Sequence, residues 1–354
     1  MSILTINCGS SSLKASLFLA DGSRRSFRYE RINDSNPHGL HNAFDNLIND
    51  LGNIQPTVVG HRFVHGGDIA DSARCVDDIE RFRLNSLIHL APLHLPSNLL
   101  GLDLCRQRFN VPQVACFDTA FHATMPPLSR RLPIPNELGF RRFGFHGLNY
   151  SYIAKTLPTI IGEIAYQKVV VAHLGSGASL CLMENLKSVD TTMGYTPAGG
   201  IPMGTRSGDL DPGVMLELAK RYSPEQLGDI VFHKMGLLAL SNGESAEMKD
   251  LLSSHTEPAR FAVAYFCQQV RGAIGALASR AGGIDALVFT AGIGEHSAEI
   301  REKICTPLGF MGFVLDTDLN QAESTKINQT GKKPITVIPA DEEIMIHDLC
   351  LNKL

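Results

Sequence analysis

The sequence predicts an α/β fold made of two related parts, and three observations support this prediction. The chain has 354 residues, which suggests two domains at roughly 150 residues per domain. Strand-like and helix-like patterns alternate along it, as they do in α/β proteins. A unit of strand, small-residue turn and strand opens the sequence around residues 9–12, and a similar unit recurs around residues 175–177.

Hydrophobic patterning places the individual elements. Leu4, Ile6 and Cys8 share one face of the first strand, and the alternation resumes over residues 13–19. In the second unit the two strands cover residues 169–174 and 178–183. Further strands are predicted at residues 57–60, 111–117, 286–290 and 335–338, and helices at residues 40–51, 98–109, 212–221, 224–234 and 257–281. The proline-rich segment 125–135 is the most loop-like region.

Composition excludes several classes of protein. The 32 Lys and Arg residues against 36 Asp and Glu residues give a net charge of −4, so no polybasic surface for nucleic acid or anionic lipid is expected. Hydrophobic residues make up 44% of the chain, which excludes wholesale disorder. The eight cysteines are scattered without a C-x-x-C pair and predict buried thiols in a reducing compartment. With no signal peptide and no membrane-length apolar run, we expect a cytoplasmic protein.

Familiar catalytic signatures are missing from the sequence. The P-loop, the G-x-G-x-x-G fingerprint, the G-x-S-x-G elbow and the H-E-x-x-H zinc motif do not occur. His61, His65, His89 and His94 lie near one another in sequence but lack cysteine or carboxylate partners at ligand spacing, which disfavours zinc.

Three small-residue loops each follow a predicted strand and suit a phosphate group. Residues 9–14 combine glycine, serine hydroxyls and Lys14, residues 175–177 are Gly-Ser-Gly, and residues 290–295 precede a helix-forming stretch that starts at Ser297. Exposed backbone N–H groups and a helix N-terminus bind anions. The first loop alone is equally compatible with a plain hairpin turn, but three together favour a phosphate-rich ligand.

Charged residues in glycine-flanked loops form a second group of candidates. Arg62 and Arg206 have glycines nearby that let a carboxylate or phosphate approach the guanidinium, although a loop arginine is commonly a solvated charge. Asp118 ends a buried strand, and His146 lies in a loop. Asp341 has the pattern of a helix N-cap followed by acidic residues.

Taken together, these stretches resemble the acetate kinase family, within the superfamily of acetate and sugar kinases, Hsc70 and actin. The matching runs occur in the family's order from end to end, and the long run over residues 203–213 is the most specific. They cover residues 7–14, 60–67, 91–94, 117–122, 141–147, 173–175, 203–213, 289–295 and 341–343.

The resemblance implies a fold of two duplicated actin-like, or ribonuclease H-like, domains with a nucleotide cleft between them. The expected bounds are residues 1–149 and 150–343, with a C-terminal helix over residues 344–354 that packs back on the first domain. It also implies a homodimer that binds ATP or ADP, acetate or acetyl phosphate, and Mg²⁺ or Mn²⁺. No nucleic acid or membrane partner is expected.

The resemblance also assigns roles to individual residues. The catalytic residues are Asn7, Arg62, His94, Asp118, His146 and Arg206, and the metal is expected near Asn7 and Glu342. Acetate is expected to contact Arg62 and a methyl pocket of Val64, Leu93, Phe145 and Pro197. The nucleotide site is assigned to Ser10, Ser12, Lys14, His173, Gly175, Ser176, Gly177, Glu247, Met248, Lys249, Gly292, Ile293 and Gly294.

The chain departs from the family pattern at several positions. The departures are Leu95, the triplet at residues 148–150, Ser176, Glu247 and Lys249, together with a shortening before Thr57. They leave two alternatives to acetate phosphorylation open. One is a kinase for propionate or another short acyl chain, and the other is a nucleotide-binding sensor without catalysis.

Overall fold

The computed structural model describes residues 1–9, 12–30 and 39–353, which form two compact units. Unit 1 comprises Met1–Ala123, Phe145–Tyr152 and Asp341–Leu354, and unit 2 comprises Thr124–Gly144 and Ile153–Ala340. The functional domain bounds expected from the sequence stay a prediction.

Unit 1 is built on a six-stranded mixed sheet with the strand order β3-β2-β1-β4-β6-β5. Its strands are β1 Ile3–Cys8, β2 Ser12–Phe18, β3 Arg24–Glu30, β4 Val58–Phe63, β5 Ala73–Cys75 and β6 Gln113–Phe117. Its helices are α1 Gly39–Leu51, α2 Asp78–Ser86, α3 Leu95–Arg108 and the C-terminal α14 Glu342–Leu351. The helix α5, Gly147–Ile161, gives its first residues to unit 1 and the rest to unit 2.

Helices cover both faces of the unit 1 sheet, which explains why every residue of β1 is buried. Leu4 and Ile6 join the cluster that packs against α1 and α3, as the alternation predicts. Ile3, on the opposite face, packs with Ile346 and Cys350 of α14. The approach of α14 is close, because a Cβ placed on Gly60 would lie 2.5 Å from both Ile346 Cγ2 and Cys350 Sγ.

Unit 2 contains a five-stranded mixed sheet with the order β11-β10-β7-β8-β9. Its strands are β7 Lys168–Leu174, β8 Ala178–Glu184, β9 Lys187–Thr191, β10 Ala286–Thr290 and β11 Ile335–Val337. Its helices are α4 Pro127–Arg130, α6 Pro212–Arg221, α7 Pro224–His233, α8 Gly236–Leu240, α9 Met248–Ser253, α10 Glu257–Ala281, α11 Ala291–His296, α12 Ala298–Cys305 and α13 Thr317–Gln321. Across both units, short 3₁₀ helices cover Ile88–Leu90, Ala120–Thr124, Asn136–Leu138, Gly162–Tyr166 and Thr306–Met311.

The two sheets repeat one topology. In each, a strand pairs antiparallel with the next strand, which pairs antiparallel with a third. On its other side the first strand, β1 or β7, pairs with a parallel strand, β4 or β10. That strand pairs in turn with a second parallel strand, β6 or β11. The predicted α/β class and the predicted internal duplication are therefore confirmed.

Most elements predicted from the sequence are present, with small shifts at their ends. The bounds of α6, α10 and β10 agree with the prediction, and Gly282, which caps α10 after Ala281, is in the left-handed conformation at φ 69°. The helix predicted at residues 98–109 instead begins at Leu95, because Pro96 fits the first turn of a helix. The segment 125–135 is not all loop, since α4 lies within it.

All eight cysteines are free thiols, and seven of them are buried as predicted. Cys75 is the exception, because it ends the short edge strand β5 and is exposed. None of the helices in the described part of the chain combines the length and apolar character needed to cross a bilayer.

Candidate active site

Three neighbouring strands of unit 1 bring polar side chains to one edge of the sheet. β1, β4 and β6 are parallel neighbours, so their carboxyl ends lie at the same edge. Asn7 and Arg62 are the penultimate residues of β1 and β4, and Asp118 directly follows β6. This edge is where open α/β sheets commonly bind ligands.

The Arg62 guanidinium connects these side chains to the first residue of α14. Its Nε and Nη2 donate to Asp118 Oδ2 at 2.9 and 2.6 Å, and Nη1 donates to Asn7 Oδ1 at 3.2 Å. Nη1 also lies 3.3 Å from Glu342 Oε2, which accepts from Asn7 Nδ2 at 2.9 Å. We call Asn7, Arg62, Asp118 and Glu342 the Arg62 cluster.

The Arg62 cluster has more carboxylates than its guanidinium can neutralise. The side chains of Arg62, Asp118 and Glu342 are only 18%, 0% and 14% exposed, so solvent screens them weakly. Burial raises the pKa of Asp118 to about 6, because Arg62 opposes the rise only in part and Glu342 adds repulsion. Burial alone would lower the pKa of Arg62, but the attraction of Asp118 and Glu342 raises it instead.

Further charges surround the start of α14. Burial raises the pKa of Glu343, repulsion from Glu342 adds to this, and Lys14 on β2 opposes it. Arg24 on the edge strand β3 donates to Asp341, and its Nη2 lies 3.8 Å from Glu343 Oε2. The Asp341 side chain accepts from Ile344 N at 3.2 Å, which confirms the predicted N-cap.

The residues predicted for the acetate pocket fall in both units. Val64 is buried and donates its N–H to Asn98 Oδ1 at 3.1 Å, and Phe145 is buried with its ring edge-on to His65. Leu93 is half-buried in unit 1, whereas Pro197 is buried in unit 2.

The two predicted catalytic histidines of unit 1 lie at the ends of elements. His94 precedes α3 at its N-cap position, and His146 precedes α5 with a left-handed φ of 59°. The next residue must be glycine, since a Cβ on Gly147 would lie 2.0 Å from Asp118 O. Gly147 N donates to that same oxygen at 2.9 Å, which holds the His146 loop against the end of β6.

The first predicted phosphate loop is described only in part. Gly9 N donates to Ser12 O at 2.8 Å, which closes the β1–β2 hairpin. Ser12 and Lys14 lie on β2 and are half-buried. Ser10, which the sequence also assigns to this loop, lies outside the described residues.

In unit 2, the turn at residues 175–177 joins β7 to β8, as predicted, and lies against two other predicted loops. Gly204 N donates to Ser176 O at 3.2 Å. A Cβ on Gly204 would lie 3.0 Å from Ala246 O, and one on Gly175 would lie 3.6 Å from Ala291 Cβ. His173, at the end of β7, is buried.

Arg206 occupies a tightly constrained loop in unit 2. Its Nη1 donates to Pro197 O at 2.7 Å, and burial lowers its pKa to about 10. The Arg206 backbone carbonyl accepts from Met203 N at 2.9 Å. A Cβ on Gly236 would lie 2.1 Å from Met203 O, so α8 and this loop fit together only with glycine there.

The remaining predicted nucleotide residues differ in exposure. Met248 is buried at the start of α9, whereas Glu247 and Lys249 on either side of it are exposed. Gly292 is exposed, Ile293 is half-buried and Gly294 is buried.

The predicted loop over residues 290–295 is wrong in one respect. The segment is itself helical, because α11 begins directly at Ala291. The helix predicted from Ser297 is present as α12, with Ser297 at its N-cap. Two glycines within six residues obscured α11, because glycine is a weak helix former.

Sequence reasoning missed several polar residues beside these predicted positions. Asn98 accepts from Val64 N and donates to Cys8 O at 2.7 Å, so it links the ends of β1 and β4. Arg24 and the buried Arg301 were also missed. Asn98 lies in α3, four residues after His94. The one signal in the sequence that could have identified it was a polar residue among the apolar residues of a predicted helix.

The donor set at the Arg62 cluster fits a hard divalent cation that also binds phosphate. Among the described residues, no three His, Cys, Asp or Glu side chains are arranged to hold a metal ion by themselves. Mg²⁺ needs only one or two protein carboxylates, because phosphate and water supply its other ligands. The carboxylates of Glu342 and Asp118 could supply these one or two oxygen ligands.

The fold and this geometry define an α/β protein with two copies of one sheet topology and a cluster of charged and amide side chains at strand ends. The chain belongs to the acetokinase family, whose model matches residues 30–348.

Individual relatives agree with this assignment over the whole chain. The acetate kinase of Nitrobacter hamburgensis is 40% identical to this chain over 391 aligned positions. The alignment covers 100% of this chain of 354 residues and 96% of the relative. The acetate kinase of Rhodopseudomonas palustris is 38% identical to this chain, and the alignment covers 97% of this chain and 96% of the relative. The crystal structure of a propionate kinase from Francisella tularensis matches with a TM-score of 0.90 at 30% identity, covering 100% of both chains.

We predict that Asp118→Asn makes the free energy of unfolding depend less on pH between pH 4 and pH 7.5 than in the wild type. Because the folded-state pKa of Asp118 is raised to about 6 from 3.8, its contribution to stability is complete below pH 3.8 and is lost as the pH rises through 6. The measurement is the free energy of unfolding of both proteins, with EDTA, at the two pH values.

Asp103→Asn is the matched control, since that carboxylate pairs with Arg81 but is one-third exposed. It should keep the pH dependence of the wild type. If Asp118→Asn keeps that pH dependence as well, the charge balance described for the cluster is wrong.

Proposed function

We propose that this protein transfers the γ-phosphoryl group of ATP to acetate, reversibly, and forms acetyl phosphate and ADP. The observation that carries the proposal is the Arg62 cluster, in a chain whose relatives at 36–40% identity are named acetate kinases. A guanidinium with a planar fork suits an acyl carboxylate or a phosphoryl group, and the surrounding carboxylates suit a cation.

The acceptor requires little activation. A carboxylic acid with a pKa of about 4–5 is already ionised at neutral pH, so no general base is needed. One acetate oxygen forms a bond to the γ-phosphorus, the bond from that phosphorus to the β–γ bridging oxygen breaks, and ADP leaves with the electron pair. Catalysis therefore consists of positioning two anions and neutralising charge on the phosphoryl group.

The positive groups of this chain fit that task. We propose that Arg62 and Arg206 hold the carboxylate and the transferring phosphoryl group, and that Lys14, His94 and His146 add donors to it. Asp118, which accepts two bonds from Arg62, is a positioning residue for that guanidinium. Asn7 and Glu342 would hold Mg²⁺, which supplies charge neutralisation at the phosphates when bound.

For the nucleotide, we propose the loops of unit 2 that adjoin the turn at residues 175–177. Backbone N–H groups of the turn suit phosphate oxygens, with His173 at its start. Gly292, Ile293 and Gly294 on α11, and residues 247–249 at α9, would contact the nucleoside. Ser10 and Ser12 would add hydroxyl donors from the first loop.

Propionate is the second candidate acceptor, and one observation favours it. The structure of a propionate kinase matches this chain with a TM-score of 0.90. We propose acetate as the preferred acid, because Val64 and Phe145 are large and buried, and with Leu93 and Pro197 would fill the space beyond a methyl group. Such a pocket rejects one extra methylene by about 10–200-fold.

The test is formation of acyl phosphate, trapped with hydroxylamine, from ATP, Mg²⁺ and acetate, propionate or butyrate. We expect acetate to have the highest kcat/KM, propionate a lower one, and butyrate a very low one. Val64→Ala should improve propionate relative to acetate about fourfold, since burying one CH₂ contributes about 0.8 kcal/mol. Val111→Ala, half-buried before β6, is the control that should leave the ratio unchanged.

Three outcomes would contradict parts of this proposal. Propionate exceeding acetate in the wild type would make the protein a propionate kinase. An unchanged ratio in Val64→Ala would show that the pocket is elsewhere. No acyl phosphate from any acid, with nucleotide still bound, would favour a nucleotide-binding sensor.

We also propose that the protein is a homodimer that associates through α6 and α7. Neither helix buries a residue in the described structure, although both carry apolar side chains. Val214, Leu216 and Tyr222 are 46%, 66% and 41% exposed. Burying such a surface against a second copy is the usual reason for its presence on a soluble chain.

Light scattering after size exclusion tests the dimer. We expect the wild type to be dimeric and Leu216→Asp to be monomeric, because a carboxylate would be buried unpaired in the interface. Ile79→Asp, at a residue that is 80% exposed on α2, is the control and should remain dimeric. A monomeric wild type, or a dimer that persists in Leu216→Asp, would contradict the proposal.

A further inference from the structure

The helix α11 starts in a strained backbone conformation. Ala291, its first residue, has a φ of 65° and is buried. A residue with a Cβ rarely adopts this left-handed region, and such strain persists only where surrounding groups enforce it.

Arg301, on the following helix α12, holds the other end of α11. Its side chain is completely buried, and its Nη1 donates to Gly294 O at 2.9 Å and to Glu295 O at 2.6 Å. These are carbonyls of the last turn of α11, which a helix of six residues cannot satisfy internally. A cation at this end also complements the helix dipole.

The rest of the guanidinium is fixed by Asn320. Arg301 Nε donates to Asn320 Oδ1 at 2.7 Å, and Nη2 donates to Asn320 O at 3.0 Å. Asn320 is itself fully buried and donates from Nδ2 to Ala298 O at 2.9 Å. Among the described residues, the hydrogen-bond acceptors of Arg301 are thus all neutral oxygens, and Glu323 attracts the guanidinium without a direct contact.

The two ends of α11 adjoin functional segments. A Cβ on Gly175, in the turn at residues 175–177, would lie 3.6 Å from Ala291 Cβ. At the other end, Glu295 Oε1 accepts from Ala340 N at 2.8 Å, directly before Asp341. A relaxation of Ala291 would therefore change the surface next to the turn.

We propose that Arg301 is a positioning residue for nucleotide binding, which acts by holding α11 in the conformation that presents Gly292 and Ile293. This rests on the proposed function of α11 as a nucleoside site. Arg301 itself touches neither nucleotide nor acetate. Its loss releases the left-handed strain at Ala291 and displaces the turn, so nucleotide affinity falls while acetate binding is unaffected.

The test uses Arg301→Lys and Arg301→Met in the full chain, with equilibrium binding of ADP as the main readout. Lysine keeps the charge but cannot reach two carbonyls and Asn320 together. We expect the Kd for ADP to rise about tenfold or more in Arg301→Met and less in Arg301→Lys. The KM for acetate should stay within about twofold.

A second-site variant separates positioning from general destabilisation. Glycine adopts a positive φ without strain, so Ala291→Gly combined with Arg301→Lys should recover most of the ADP affinity. Arg271→Met is the control, because Arg271 likewise donates to a helix carbonyl, that of Lys303 on α12, but is only half-buried. It should bind ADP normally.

Each result decides the proposal. ADP affinity that is unchanged in folded Arg301→Lys, or that Ala291→Gly fails to restore, overturns it. An equal rise in the acetate KM overturns it as well, since a merely structural role would produce that. ADP binding without acyl phosphate formation would contradict the proposed function alone, because the Kd comparison needs no turnover.

Discussion

The ion pair between Arg62 and Asp118 is the interaction on which the unit 1 site depends. It joins the ends of β4 and β6, and through Asn7 and Glu342 it extends to β1 and the start of α14. A buried pair of this kind gains little stability by itself, because desolvation offsets the attraction. Its consequence is geometric: the guanidinium faces the carboxyl ends of three parallel strands with its remaining donor directed at Asn7 and Glu342.

Close backbone approaches keep the surrounding elements in place. Gly60 admits α14 against β4, Gly147 admits the His146 loop against Asp118, and Gly236 admits α8 against the Arg206 loop. Each of these glycines allows an approach that any Cβ would block. The polar residues at the strand ends are therefore held by main-chain packing as well as by hydrogen bonds, which is how a scaffold preorganises donors for a transition state.

The sequence predicted the elements whose signals are local. The alternation in β1 and the proline and glycine that bound α10 gave their positions directly, and the two hairpin turns revealed the duplication. The edge strand β3 was missed because it is mostly exposed and rich in arginine, so it lacks alternation. Arg24 and Asn98 were missed because their partners lie far away in sequence, as Arg24 with Asp341 and Asn98 with Cys8 show. The roles of the site residues stay predictions.

The measurement that tests the central claim most directly is kcat/KM for acetyl phosphate formation in Arg62→Ala and Arg62→Lys. Loss of one preorganised charged donor commonly lowers turnover by about 10²–10³-fold. We expect that loss in Arg62→Ala with little recovery in Arg62→Lys, which cannot reproduce the planar fork. Arg28→Ala, an exposed arginine on β3, should retain the wild-type rate. A normal rate in folded Arg62→Ala would contradict the account, since the cluster would then not be the catalytic centre.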